Sequence, residues 1–157
     1  MSGSPSKAQT ALEMMFLMAV IFLGAAVIVP TYLSINNSAM LVTYVRNSAS
    51  EACDYLNIGV IVNESKYEPL NAIIQNYTGY NYLGFRLLGI GIVAETERNV
   101  TVQIRIGTRI TESEKVKEAI GKFLMRDLTG MKGFVVRNGR LYFDGREVIL
   151  EITVEKD

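Results

Sequence analysis

MMFLMAVIFLGAAVIV, residues 14–29, decides how this chain is organised, because it is a run of sixteen residues without a charge. As an α-helix the run spans roughly 24 Å at about 1.5 Å per residue. Ala11 and Leu12 before it and residues 31–33 after it bring the segment to the roughly 30 Å of a bilayer's hydrocarbon core. A secretory signal peptide also pairs a basic start with an apolar middle, but it closes on a small-residue cleavage site. Pro30-Thr31-Tyr32-Leu33 follows here and matches that poorly. Lys7 precedes the run and the next cation is Arg46. That asymmetry predicts a cytoplasmic N-terminus, with the rest of the chain outside the cell.

Working outward, residues 1–8 (MSGSPSKA) are small and polar with one cation, and they read as a removable leader. Downstream, Met40, Leu41, Tyr44, Val45, Ser48, Ala52, Tyr55 and Leu56 fall at helical spacing and define one apolar stripe. The spacing predicts a single long helix from Gln9 to about Leu56. A bend is expected at Pro30, whose ring removes a backbone hydrogen bond, and terminating signals at Asn57 and Gly59.

Residues 58–157 carry the pattern of a small α+β head. Leu70, Ile73, Ile74 and Tyr77 mark a short amphipathic helix after Ser65 and Pro69. Phe85 to Ala94 reads as a buried strand in which Gly89 and Gly91 suggest a bulge or close packing. Val100, Val102, Ile104 and Ile106 alternate with polar residues, as in a half-buried strand. Thr111-Glu112-Ser113-Glu114 fits a capping box ahead of a helix carrying Val116, Ile120, Phe123 and Leu124 on one face. Three strands follow, near 133–137, 140–144 and 147–155, joined at Asn138-Gly139 and Asp144-Gly145, pairs that accept the positive φ of tight hairpins. The expected fold class is α+β: a long N-terminal hydrophobic helix (9–57), then a mostly antiparallel sheet with one or two short helices on its apolar side.

Composition narrows the chemistry. Lys+Arg and Asp+Glu both number 16, so no bulk field draws the chain to nucleic acid. Histidine is absent, which removes the commonest general base near neutral pH and the commonest metal ligand. No nucleophile–base pair, metal spacing or phosphate loop is evident, so neither an enzyme, a metal nor a cofactor is expected. The one cysteine, Cys53, is either a small buried apolar residue or a partner for an intersubunit disulfide.

The segment Lys7-Ala8-Gln9-Thr10-Ala11-Leu12-Glu13-Met14-Met15-Phe16-Leu17 carries the functional signal. It resembles the class III signal peptide of archaeal type IV pilins, where a basic leader ends before a Gln, a Glu follows four residues later, and a Leu four after that. Gln9, Glu13 and Leu17 occupy those places, and Pro30 stands where many bacterial type IV pilins also have proline. Ala11 and Ala8 replace the family's usual Ser and Gly with other small residues.

The resemblance implies cleavage between Ala8 and Gln9 by a prepilin peptidase, followed by assembly of the apolar helices, through pilus machinery, into a surface filament that serves adhesion. Glu13 would then pair with the free α-amino group of a neighbouring subunit. Physical chemistry agrees, since a carboxylate at the edge of an apolar helix costs several kcal/mol to bury unpaired. The plainer alternative places Glu13 at the membrane edge, favoured by the helix dipole. Likewise the apolar run can be the dry core of a helix bundle, with Gly24, Ala25 and Ala26 allowing close approach, or a permanent anchor tethering an extracellular binding module.

Two features concern the surface of the chain. Asn36, Asn63, Asn76 and Asn99 each begin an N-glycosylation sequon. Tyr67, Tyr77, Tyr80 and Tyr82 form either a sticky exposed patch or ordinary half-buried packing.

Overall fold

In a computed structural model the described residues are 7–76, 84–109 and 113–156. They form α1 (Lys7–Ile58), α2 (Glu68–Asn76), β1 (Phe85–Glu95), β2 (Asn99–Thr108), α3 (Ser113–Thr129), β3 (Phe134–Arg137), β4 (Arg140–Phe143) and β5 (Arg146–Lys156). The chain divides into two compact units, Met1–Ala39 and Met40–Asp157. The first contains the apolar part of α1. The second is the α+β head.

α1 covers the helix expected from the apolar run and the stripe that follows it. It includes Pro30, whose ring withholds the N–H that would bond the Ala26 carbonyl. In the head unit, Leu41, Val45, Ala49, Ala52, Cys53 and Leu56 are buried and Tyr44 is half-buried, whereas Met40, part of the expected stripe, is exposed. α1 stops at Gly59, which adopts φ 68° and donates its N–H to the Tyr55 carbonyl at 3.1 Å. This is the left-handed cap that glycine accepts without steric cost. Asn57 is still helical and serves otherwise. Its side-chain amide donates to the Phe85 carbonyl (2.8 Å) and accepts from the Phe85 N–H (3.0 Å), bonding the first residue of β1 as a neighbouring strand would.

The sheet order is β1-β2-β5-β4-β3. β1/β2, β3/β4 and β4/β5 are antiparallel, and the central pair β2/β5 is parallel. The parallel pair needs a long connection between its strands, and α3 lies in it. Because β2 is flanked on both sides, it is more buried than its alternating sequence suggests: Thr101 and Thr108 are buried along with Val100, Val102, Ile104 and Ile106. Both hairpin turns match their sequence signals, with φ of 52° and 75° at Asn138-Gly139 and 49° and 82° at Asp144-Gly145. β1 carries register shifts at Leu87/Gly89 and Ile92/Ala94, so Gly89 borders a bulge. A Cβ at Gly89 or Gly91 would meet nothing within 4 Å, which rules out close packing as the reason for these glycines.

The core lies between one sheet face, α2, α3 and residues 40–58 of α1. α3 contributes Val116, Ile120, Phe123, Leu124 and Leu128, none of which is accessible to solvent. Its opposite face is solvated and carries the pairs Lys122–Glu118 (2.6 Å) and Lys117–Glu114 (3.8 Å). Thr111 and Glu112, half of the expected capping box, lie outside the described residues.

Candidate functional site

The residues singled out for processing and assembly all lie on the apolar part of α1. Gln9–Pro30 is 22 residues long, contains an 18-residue window of mean hydropathy 2.5, and is long and apolar enough to cross a membrane. At about 1.5 Å per residue it reaches roughly 33 Å. Pro30 ends this span. Helical spacing brings Gln9, Glu13 and Leu17 onto one line along the helix, each four residues from the next. The Gln9 side-chain amide donates to a Glu13 carboxylate oxygen at 3.3 Å. The carboxylate therefore has a partner one turn away. Around it the helix surface is apolar and exposed: Leu12, Met15, Phe16 and Leu17 all present more than half of their area to solvent. The Ala8–Gln9 bond lies inside α1, while residues 1–6 of the expected leader are outside the described residues.

Within the head, a polar cluster that sequence reading missed joins α1, the turn just before α2, and α3. The Glu51 carboxylate accepts from Lys66 Nζ at 2.7 Å and from the Tyr67 hydroxyl at 2.5 Å. Lys66 also reaches Asp127 Oδ1 at 3.4 Å, and its ammonium lies 4.7 Å from the Tyr67 ring centroid. Tyr67 in turn stacks on Tyr55 (4.3 Å, 13°) and Phe123 (5.6 Å, 27°). Tyr67 is thus half-buried packing, the plainer of its two readings. Tyr77, Tyr80 and Tyr82 lie outside the described residues.

Burial raises the Glu51 carboxyl, but the hydrogen bonds from Lys66 and Tyr67 and the lysine charge outweigh it and leave the group below its ordinary value of 4.5. Lys66 loses charge stability through burial and regains more from Glu51, so its ammonium is held above its ordinary value. A carboxyl depressed on folding adds stability above its unfolded value, and this is lost as pH falls through the folded one. The head should therefore lose stability below about pH 4.5, and Glu51→Gln should reduce that loss. The effect should be no more than about 1 kcal/mol, since Glu51 is 37% exposed and solvent screens it. Urea midpoints of wild type and variant between pH 7 and pH 3 measure it.

Asp127 Oδ2 is buried with no hydrogen-bond partner, but among the described residues no group of three or more His, Cys, Asp or Glu is placed to hold a metal ion. The nearby cleft of about 400 Å³ is open and lined by Asn47, Ser50, Glu51, Asp54 and Tyr67.

Cys53 is 3% exposed, and burial, with the Asp54 charge adding to it, pushes its thiol up to about 12. It packs as a small apolar residue, and in the folded head it is closed to an intersubunit disulfide. A thiol-alkylating reagent at pH 8 should leave Cys53 unlabelled in the native chain and label it fully in urea. Rapid native labelling, read by intact mass, would contradict that placement.

No protein-family model, no curated protein and no solved structure matches this chain.

Proposed function

We infer that this chain is a structural subunit of an archaeal type IV pilus-like surface filament, made as a membrane-held precursor and polymerised through α1. One observation carries the reading: a single carboxylate, Glu13, four residues after Gln9, stands near the start of the otherwise uncharged and exposed apolar stretch Gln9–Pro30. A solvated protein gains nothing from a stripe of exposed Leu, Ile, Phe and Met this long, so the helix needs an apolar environment. Before assembly that environment is lipid. Afterwards it is the same helix of other copies.

The carboxylate gives the packing its register. Cleavage before Gln9, which requires the first turn of α1 to open, leaves Gln9 with a new α-amino group. That group supplies the charge that the Gln9 amide alone cannot bring to Glu13. Placements that leave Glu13 unpaired among apolar side chains are disfavoured by several kcal/mol, so one axial offset between neighbouring helices is selected. A Cβ at Gly24 would meet nothing within 4 Å in its own chain, and a glycine there lets a partner helix come close. Adhesion would be the work of the heads in such a filament.

The test is the mature N-terminus in material sheared from cells. A start at Gln9 in fibres supports the reading. A start at Met1 in detergent-soluble, unpolymerised protein would instead mark a single-span tether for a binding head.

A further inference from the structure

Transfer of an oligosaccharide to asparagine makes two demands on the acceptor. The side-chain amide must reach the sugar donor, and the hydroxyl two residues on must be available to the transferase that reads it. The four sequons differ in how they meet these demands.

Asn36-Asn37-Ser38 lies within α1, and Ser38 is only 8% exposed. Asn99-Val100-Thr101 opens β2, where Thr101 is 9% exposed and paired with Ala94 on one side and Ile149 on the other. Asn99 is itself half-buried, and its Oδ1 accepts from the Thr96 hydroxyl at 2.7 Å. Asn76 ends α2, and Thr78 lies outside the described residues. In Asn63-Glu64-Ser65, by contrast, all three residues are exposed and none belongs to a helix or strand.

The loop holding Asn63 is also tethered at both ends. The Val62 N–H donates to the Tyr55 hydroxyl at 2.8 Å, and the Asn71 amide donates to the Val62 carbonyl at 3.0 Å. On the other side the Arg126 guanidinium donates to the Ser65 carbonyl. These bonds use only the backbone of Val62 and Ser65, so the loop stays ordered while both sequon side chains remain accessible.

We propose that Asn63 is the N-glycosylation acceptor of the folded head and that Asn36 and Asn99 stay unmodified. The proposal rests on the reading that the head is exported. In the transfer, Asn63 Nδ2 forms a bond to the anomeric carbon of a sugar carried on a lipid phosphate. The sugar–phosphate C–O bond breaks, the lipid phosphate leaves with the electron pair, and the amide proton passes to a base of the transferase.

The experiment expresses the full chain in an archaeal host that performs N-glycosylation. Glycopeptides are mapped by mass spectrometry, and protease access to the head is read on intact cells. The expected result is a sugar on the peptide containing Asn63. Asn63→Gln and Ser65→Ala should each remove it, while Asn36→Gln and Asn99→Gln leave its occupancy unchanged. Unmodified Asn63 on a head that protease reaches, sugar on Asn36 or Asn99, or sugar on Asn76 in place of Asn63 would each overturn the proposal. A head that protease does not reach would overturn the export reading, and this assignment with it.

Discussion

Glu13→Leu is expected to leave membrane insertion intact and to reduce the yield of sheared filaments by at least about tenfold. Insertion depends on the apolar window from Gln9 to Pro30, and replacing its one carboxylate with leucine makes that window more apolar. Assembly depends on something else. In the proposed filament, with Glu13 gone, the α-amino group that cleavage would create at Gln9 would enter an apolar bundle without a countercharge. Leaving one member of a buried ion pair unpartnered costs about 3–5 kcal/mol, and each 1.4 kcal/mol is a factor of ten. The precursor should also lose the Gln9–Glu13 hydrogen bond, a lesser effect because it is exposed. Immunoblots of membrane and sheared fractions separate the two steps. Normal filament yield with normal insertion would remove Glu13 from the assembly mechanism.

What could be read from sequence here was local. The apolar run, the face of α3 and both hairpins are set by residues within one turn of helix or one tight turn, and the structure places them as their patterns indicate. What escaped depends on pairs far apart in the chain. Asn57 looks like a helix terminator until the fold sets its amide against Phe85, 28 residues on. Lys66 and Asp127 are 61 residues apart, and neither has a neighbour in sequence that announces the other. The parallel pairing of β2 with β5 was equally hidden, because alternation reports which face of a strand is buried and not which strand lies beside it. For the candidate assembly site, Gln9, Glu13 and Leu17 were legible as a pattern. The alignment of their side chains along one line of α1 follows from helical spacing alone.

Phe123→Ala and Phe16→Ala delete the same atoms from two helices, and their consequences should differ sharply. Phe123 is fully buried, stacks on Tyr67, and lies 5.9 Å from the Lys66 ammonium. Truncating it removes a large apolar group and opens a cavity next to the Glu51–Lys66–Asp127 cluster, at a cost of about 3–5 kcal/mol. Against the roughly 5–15 kcal/mol that usually holds a domain together, that is a large fraction. The urea midpoint of the head's transition in the detergent-solubilised full chain should fall accordingly, with an unchanged slope. Phe16, by contrast, is 69% exposed. Its loss should alter the head's stability by less than about 0.5 kcal/mol. Any deficit should appear instead in material that depends on contact between chains, as a lower yield of sheared fibres. A head destabilised by both substitutions would mean that Phe16 packs on its own domain. Fibres unaffected by Phe16→Ala would mean that this side of α1 stays out of the bundle.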